Sequence, residues 1–327
     1  MIRFFRNSYI IQYVVIALLC IALWIPSFIT GQVDVAYRNP VIPLYNLLAD
    51  ILDFWPYAML LFAFLLNAFE ALFFNSILAS NQVISKVSTL GAVSYLLMMN
   101  LLPEHTTFYP FLLASVFLLM FIHTLFSIYQ TPRPELYLLN AGFYLSFATM
   151  CWLPSLLLAV WGVIALAIIH KGSLRLHLIP VIGLLLPYFF YFAIHFLMGD
   201  LKPTLLSYGD YFSAIHLGVQ GFNWFYGGLI LFLLMVVAMP LFTPRNYSFE
   251  KTVSVRTKVT MTILLLLFGV FMLLLEAVPV RSGVLFIALS VLFSFELAYL
   301  NGLRWSNVTL ALFMLAVLAF HYYPLFA

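Results

Sequence analysis

The sequence predicts an all-α protein, a polytopic bundle of about eleven transmembrane helices that forms a single transmembrane domain over residues 1–327. Of the 327 residues, 65% are hydrophobic and only 8% are charged, whereas charged residues make up about a quarter of a soluble domain. Apolar runs recur along the whole chain, and most of the loops between them have only a few residues. Since a bilayer core of about 30 Å needs about 20 apolar residues per helix, these runs leave no room for a soluble domain.

The apolar runs define the spans in order along the chain. The first run follows Arg3 and Arg6, is long enough to cross and lacks a small-residue cleavage site after it, so we expect a retained helix rather than a cleaved signal. Residues 135–170 allow two interpretations, either two short spans or one helix broken at Pro154. With two spans there, the predicted helices cover residues 8–30, 55–80, 87–102, 107–128, 135–153, 155–170, 176–199, 224–243, 258–279, 281–300 and 306–326.

The basic residues decide between the two interpretations, because cytoplasmic loops of membrane proteins carry an excess of Lys and Arg. With eleven spans and a cytoplasmic N-terminus, eleven of the 14 Lys and Arg residues lie inside, and only Arg38, Lys202 and Arg281 lie outside. A single broken helix over residues 135–170 would leave six inside and eight outside, which is no bias. The sequence therefore predicts eleven spans, with the N-terminus in the cytoplasm and the C-terminus outside.

Two outer loops are long enough to hold structure of their own. In the loop at about residues 31–54, apolar residues recur at helical spacing, and polar residues share the opposite face. The apolar set is Leu44, Leu47, Leu48, Ile51 and Leu52, and the polar set is Asn46, Asp50 and Asp53. This pattern predicts an interfacial helix that lies flat on the outer leaflet. The loop at residues 200–223 has a similar mixed pattern around Asp210, and we expect the two loops to roof a cavity between the helix ends.

The predicted outer face also collects most of the acidic residues. Seven map there or to a helix end beside it: Asp34, Asp50, Asp53, Glu104, Asp200, Asp210 and Glu276. They are either the polar residues that remain once basic residues are excluded from outer loops, or the groups of a site that faces outward. The same topology places Trp24, Trp55, Trp152 and Trp224 at the outer boundary, where indole rings favour the headgroup layer.

A short first-loop helix after an Asp-bearing exit from the first span resembles the C-type-fold glycosyltransferases and the lipid-linked glycan polymerases and ligases. The resemblance implies that Asp34 is the catalytic acid or base for a sugar carried on polyprenyl phosphate. It also implies that Arg38, Lys202 and Arg281 hold the phosphate, with Asp50 and Asp53 beside the substrate. The chemistry is sound, because a carboxylate can activate a hydroxyl and a guanidinium can grip phosphate through two parallel bonds. No second acid stands next to Asp34, as often occurs in those families.

The chain as a whole resembles an uncharacterised family of multi-pass inner-membrane proteins from Bacteroidota. The residues that carry the resemblance are Leu139-Asn140-Ala141-Gly142-Phe143, Trp152-Leu153-Pro154 and Leu184-Leu185-Leu186-Pro187-Tyr188-Phe189. The resemblance implies a location in the bacterial inner membrane and a role in the cell envelope. It implies no activity.

Two acidic residues lie inside predicted spans. Glu70 and Glu296 are each fifteen residues from the outer start of their helix, which gives both a depth of about 22 Å. They can therefore face one another, and Asn67 lies on the same face as Glu70. Acids inside a membrane are candidate proton or ion sites. The alternative is a structural role, in which each carboxylate reaches the inner interface or a basic loop residue.

The sequence thus leaves two classes of function open. The first is an enzyme that acts on a lipid-linked glycan or a related envelope lipid at the outer leaflet. The second is a non-catalytic subunit of an inner-membrane assembly, or a proton-coupled transporter that uses Glu70 and Glu296. Besides membrane lipids, partners would be a polyprenyl-phosphate-linked glycan or other inner-membrane proteins. The scattered basic residues do not suggest nucleic acid, the histidines lack the spacing of metal ligands, and no motif identifies a cofactor.

Overall fold

The computed structural model describes ten stretches of the chain, and it confirms the all-α class. The described residues are 2–7, 9–31, 38–102, 105–128, 131, 134–169, 174–215, 253–275, 283–299 and 303–326. Several sequence predictions fall outside the described residues, namely Asp34, Glu104, Trp224, Glu276, Arg281 and the predicted span 224–243. Within the described stretches the chain forms helices and no strand.

The described stretches contain thirteen α-helices. In chain order they are α1 (Ile2–Phe5), α2 (Ile10–Thr30), α3 (Pro43–Leu52), α4 (Pro56–Ser80), α5 (Leu90–Met99), α6 (Pro110–Ile128), α7 (Glu135–Cys151), α8 (Leu158–Ile169), α9 (Leu174–Met198), α10 (Leu201–Ala214), α11 (Val253–Leu273), α12 (Gly283–Tyr299) and α13 (Leu303–Phe326). A short 3-10 helix, Leu153–Leu157, joins α7 to α8. Both α3 and α4 have proline in the first turn, where the missing N–H costs no hydrogen bond.

Five helices of the described residues are long and apolar enough to cross a membrane, judged by length and composition: α2, α4, α6, α9 and α11. They are compatible with a multi-pass membrane protein. The third predicted span, 87–102, differs most from its prediction, because α5 has only ten residues and is about 15 Å long. A helix of that length covers only half of a bilayer core. The total of eleven spans stays a prediction.

The short helix α5 lies at the centre of the bundle together with α12. Every residue of α5 is buried, and so is every residue of α12 from Gly283 to Ser294. Helix α5 packs against α4 and α12, and α12 packs against α11. The connection that follows α5 is buried as well, at Asn100–Leu102 and His105–Tyr109. Irregular backbone is tolerated at membrane depth only where protein or a cavity surrounds it, and here protein surrounds it.

The chain reverses direction at the 3-10 helix between α7 and α8. Phe111, at the start of α6, packs against Trp152 with ring centroids 4.9 Å apart. Ten residues further along α6, Phe121 packs against Trp161, with centroids 5.7 Å apart. Both pairs can form only if the chain from Trp152 to Trp161 runs back alongside α6. This geometry supports two separate segments over residues 135–170 rather than one broken helix.

Helices α7 and α9 approach closely at two glycines, Gly142 and Gly183. A Cβ atom on Gly142 would clash with the carbonyl oxygen of Pro180 and would lie 2.8 Å from the Cα atom of Gly183. Both Pro180 and Pro187 lie inside α9, which continues through them as one helix. Small residues at such crossings let two backbones pack directly, and this crossing joins α9 to the bundle.

The helix termini gather at two ends of the bundle. At one end the backbone N–H of Thr89 donates to the Phe5 carbonyl oxygen at 2.8 Å. At the same end the Nζ atom of Lys258 donates to the carbonyl oxygen of Asn81, also at 2.8 Å. At the opposite end, residues just before α3, the 3-10 helix, α10 and the end of α11 line two adjoining hollows. These latter elements are the ones predicted to face outward, and we call this end of the bundle the outer end.

Two of the tryptophans predicted at the outer boundary are buried against other helices rather than exposed on the surface of the bundle. Trp24 and Trp152 are 0% and 1% exposed and pack against the aromatic rings of Phe64 and Phe111. Trp55, which begins α4, is 49% exposed. Indole rings are large enough to fill helix crossings as well as to lie in an interface, and a sequence pattern does not separate these roles.

Candidate functional site

The first candidate site lies at the outer end and includes three of the predicted substrate-binding residues. The Nη2 atom of Arg38 lies 2.7 Å from a carboxylate oxygen of Asp53 and 3.1 Å from one of Asp50. Helix α3 carries Asp50 in its last turn and Asp53 as its C-terminal cap. The side chains are half-exposed or more. The structure therefore brings Arg38, Asp50 and Asp53 together in one ion-pair cluster at the surface.

Helix α3 is attached to the bundle by two residues outside the predicted apolar set, together with the partly buried Leu44, Leu48 and Leu52 of that set. Tyr45 and Ala49 are fully buried, and the Tyr45 hydroxyl donates to the Phe108 carbonyl oxygen at 3.1 Å. Its ring also stacks on Phe108 with centroids 4.9 Å apart. Leu47 and Ile51 are each 59% exposed. The helix thus packs on the buried connection by one side and leaves part of its predicted apolar face uncovered.

A hollow separates the first outer loop from α10, and we call it the polar hollow because Asn39, Ser207, Asp210 and Tyr211 contribute polar groups to an otherwise apolar lining. Its volume is about 410 Å³, and it is lined by Asn39, Pro40, Ser207, Asp210, Tyr211, Ala214 and Ile215. Asn39 and Pro40 directly follow Arg38 in the chain, so the backbone of Arg38 adjoins this hollow, although its side chain is not part of the lining. The sequence predicted that the two outer loops roof a cavity, and the described part of each loop contributes to this one.

A second, mainly apolar hollow adjoins the polar one. It has a volume of about 310 Å³ and is lined by Leu153, Pro154, Leu156, Leu157, Tyr211, Phe212, Ile215, Phe271 and Leu275. Tyr211 and Ile215 line both hollows. A molecule with a polar head and an apolar chain matches this pair of hollows, since each part can be buried against groups of its own kind.

Lys202 does not join the ion-pair cluster. It lies in the first turn of α10 and is exposed, and it lines a separate groove with Gly199 and Leu206. Among the predicted phosphate-binding residues within the described stretches, only Arg38 lies beside the polar hollow.

The second candidate site is a polar cluster around Glu70 in the interior of the bundle. Glu70 is 0% exposed. The Tyr95 hydroxyl donates to its Oε2 atom at 2.9 Å, and the Ser115 hydroxyl contacts its Oε1 atom. One turn away, Asn67 accepts a hydrogen bond of 3.0 Å from the side-chain amide of Asn100. Helices α4, α5 and α6 and the buried connection after α5 each contribute a polar group to this cluster.

The buried connection extends the polar cluster toward α3. The rings of His105 and Tyr109 lie 5.4 Å apart, and the Nδ1 atom of His105 is 3.0 Å from the Met99 carbonyl oxygen. Burial lowers the pKa of His105 to about 4, so this imidazole is neutral at neutral pH. The Tyr109 hydroxyl and the Asn100 Oδ1 atom are buried and have no hydrogen-bond partner within the described part of the chain.

Glu296, the predicted partner of Glu70, makes no hydrogen bond to it in the structure. Glu296 lies in the last turns of α12, where the neighbouring Leu297 carbonyl accepts a hydrogen bond of 3.1 Å from Arg6. Its Oε2 atom is buried and has no partner among the described residues. From the helix starts at Pro56 and Gly283, Glu70 and Glu296 lie 14 and 13 residues along α4 and α12, so their similar depth stays a prediction.

Sequence reasoning missed both hydrogen-bond partners of Glu70, Tyr95 and Ser115, and the neighbouring polar residues Asn100 and Tyr109. In the sequence these residues are visible as polar side chains inside apolar runs. That pattern does not by itself show which helices pack against each other. The described residues contain no group of three His, Cys, Asp or Glu side chains that could hold a metal ion. Comparisons with protein-family models, with curated proteins and with solved structures find no match to this chain.

Proposed function

We propose that the chain is a multi-pass protein of the bacterial inner membrane that binds a lipid-linked glycan, or a related envelope lipid, at the outer leaflet. In this proposal the chain crosses the membrane eleven times, with the N-terminus in the cytoplasm. The observation that carries the proposal is the pair of adjoining hollows, one polar and one apolar, that share Tyr211 and Ile215.

The apolar hollow suits an isoprenoid or acyl chain. It lies among the 3-10 helix, α10 and the end of α11, and its lining is almost entirely hydrocarbon and aromatic. Burial of apolar surface contributes about 25 cal/mol per Å². The binding free energy of a lipid chain enclosed there would therefore depend on the length of chain buried rather than on one specific contact. The polar hollow then receives whatever the lipid carries at its head.

The polar hollow offers groups for a sugar and a phosphate. Asn39, Ser207 and Asp210 can exchange hydrogen bonds with sugar hydroxyls. Arg38 stands beside the hollow, oriented by Asp50 and Asp53, and a guanidinium can bind a phosphate through two parallel hydrogen bonds. In the same proposal Asp34 is the acid or base of a transfer reaction, and Arg281 assists with the phosphate.

The proposed topology predicts a definite pattern of reporter activity. A reporter that is active only in the cytoplasm should be active when it is fused after Arg175 or Arg256 and silent when it is fused after Ala327. The reason is that the chain reverses direction between α7 and α8, so in the proposed topology α8 ends on the cytoplasmic side. Activity after Ala327 together with silence after Arg256 would reverse every outer assignment made here.

The proposed ligand predicts a second result, measured as binding of undecaprenyl phosphate to the purified chain in nanodiscs. We expect Ala214→Trp to abolish binding, because the indole fills the polar hollow. Arg38→Ala should weaken binding by about 1.5–3 kcal/mol, as expected for loss of charge-assisted hydrogen bonds. Arg38→Lys should weaken it nearly as much, because an ammonium cannot reproduce the planar fork of a guanidinium.

Asp200→Asn provides the matched control for this binding experiment. Asp200 precedes α10 and is exposed, and it does not line the polar hollow, so its replacement should leave affinity unchanged. Wild-type affinity in both Ala214→Trp and Arg38→Ala would reject the lipid-binding proposal. An assembly subunit without a ligand of its own would then be the better interpretation.

A further inference from the structure

Glu70 is a carboxyl group that no basic side chain neutralises within the described part of the chain. The ion pairs found there both belong to Arg38, at the outer end. The groups that face Glu70 are the hydroxyls of Tyr95 from α5 and Ser115 from α6, with Tyr109 close enough for an electrostatic interaction. An ionised carboxylate without a counter-charge is expensive to bury. Glu70 therefore needs a proton or a cation.

The hydrogen-bond geometry at Ser115 favours the proton. The Ser115 Oγ atom lies 2.7 Å from the Leu112 carbonyl oxygen and also contacts the Oε1 atom of Glu70. A serine hydroxyl has one hydrogen to donate, and a carbonyl oxygen has none. If the serine hydrogen points to Leu112, the hydrogen in the other contact must come from Glu70. A protonated Glu70 therefore satisfies both contacts, whereas an ionised Glu70 would leave one pair of oxygens without a hydrogen between them.

The other titratable groups around the cluster do not change this conclusion. His105 in the buried connection is neutral, because burial lowers its pKa. His321 from α13 contacts the Asn100 carbonyl oxygen rather than Glu70. Glu296 on α12 makes no hydrogen bond to Glu70 and lies beside the contact of Arg6 with Leu297.

The polar groups that continue from Glu70 lead to the outer end of the bundle. Tyr109 directly precedes α6, the helix that carries Ser115, and its ring packs against His105. Next in the connection, the Thr106 hydroxyl is 2.5 Å from that of Ser27, three residues from the last residue of α2. The buried hydroxyl of Tyr109 and the Oδ1 atom of Asn100 have unused hydrogen-bonding capacity, which suits a transient partner such as a passing water molecule or hydronium ion.

We propose that Glu70 binds an exchangeable proton within the bundle, and that this proton reaches it from the outer end along the buried connection through Tyr109. The site would give the protein a means to couple an event in the outer hollows to protonation inside the membrane. The proposal does not depend on the lipid ligand, because it rests on contacts of α4, α5 and α6.

Infrared difference spectroscopy of the purified chain tests whether Glu70 holds a proton. At neutral pH we expect a carboxylic-acid C=O band that shifts on transfer to D₂O and is missing from Glu70→Gln. An amide keeps a carbonyl for Tyr95 and a donor for Ser115, so this variant should fold. Glu135→Gln is the control, because Glu135 is an exposed carboxyl in the first turn of α7.

Three outcomes would overturn the proton site. They are the absence of the band in the wild type, its persistence in Glu70→Gln with loss in Glu296→Gln, and its disappearance when Na⁺ is added at constant pH. The last outcome would assign the cluster to a metal cation. All three outcomes are read from spectra of folded protein. If a variant fails to fold, the band shift of the wild type in D₂O and its response to Na⁺ still test the proposal.

The route is tested by the rate at which the band shifts in D₂O. Tyr109→Phe removes a hydroxyl that makes no hydrogen bond in the described structure, so the fold should be kept while exchange becomes several-fold slower. Tyr57→Phe is the control, since Tyr57 is 43% exposed at the start of α4. Equal exchange rates in Tyr109→Phe and the wild type would reject the route through Tyr109.

Discussion

Replacing Gly142 with leucine is expected to separate α7 from α9 and to lower the stability of the bundle by about 3 kcal/mol, at the upper end of the usual cost of overpacking. A Cβ atom at this position would clash with the Pro180 carbonyl oxygen and lie 2.8 Å from the Gly183 Cα atom. These neighbours are backbone atoms of another helix, so they cannot move aside as a flexible side chain can. Thermal unfolding of the purified protein in detergent measures the loss.

Gly209→Leu is the matched control for this prediction. Gly209 also lies inside a helix, α10, but a Cβ atom there would meet nothing within 4 Å. The same chemical change should therefore leave the unfolding temperature unchanged or raise it slightly, because glycine has a low helix propensity. Equal unfolding temperatures for the Gly142 and Gly209 variants would show that the close approach of α7 and α9 contributes little to stability.

Lys258→Met should destabilise the protein by about 2 kcal/mol, within the range for removing a charged donor from a buried acceptor. Lys258 is only 2% exposed, and its Nζ atom donates to the Asn81 carbonyl oxygen at the end of α4. The side-chain amide of Asn81 also contacts Ile77 and His123. Loss of the lysine leaves this carbonyl without a donor and removes a cation from a helix C-terminus, where cations are favourable.

Arg256→Met provides the comparison for the lysine variant. Arg256 precedes Lys258 by two residues on α11 but is exposed, so its loss should change stability by less than about 0.5 kcal/mol. Chemical unfolding of both variants under the same conditions measures the difference. If Lys258→Met and Arg256→Met unfold at the same denaturant concentration, the contact of Lys258 with Asn81 does not hold α11 against α4.

Much of the architecture could be predicted because the bilayer restricts the choices of the chain. The apolar runs allow only helices, and the polar spacing in the first outer loop placed Asp50 and Asp53 on one face of α3, where the structure brings them to Arg38. The length of α5 could not be predicted. Apolar composition does not distinguish a helix that faces lipid from one that protein surrounds, and α5 is surrounded by protein.

The candidate sites depend on contacts between distant segments, and these were harder to predict. Glu70 was identified as an intramembrane acid, but its partners Tyr95 and Ser115 are known only once α4, α5 and α6 are packed. Asp210 was expected near the outer face, while its place beside Asn39 depends on how α10 folds back toward the first loop. Helical spacing orders residues within one segment and says nothing about which segments become neighbours.

The buried connection after α5 has a consequence for the order in which the chain is assembled. Its His105 packs against Phe286 of α12, and its Asn100 carbonyl contacts His321 of α13, which is synthesised 221 residues later. A nascent chain that ends before these helices has already inserted the connection but lacks the groups that enclose it. Unpaired backbone in lipid is costly, so the connection reaches its fully enclosed environment only after α12 and α13 have been synthesised and packed against it.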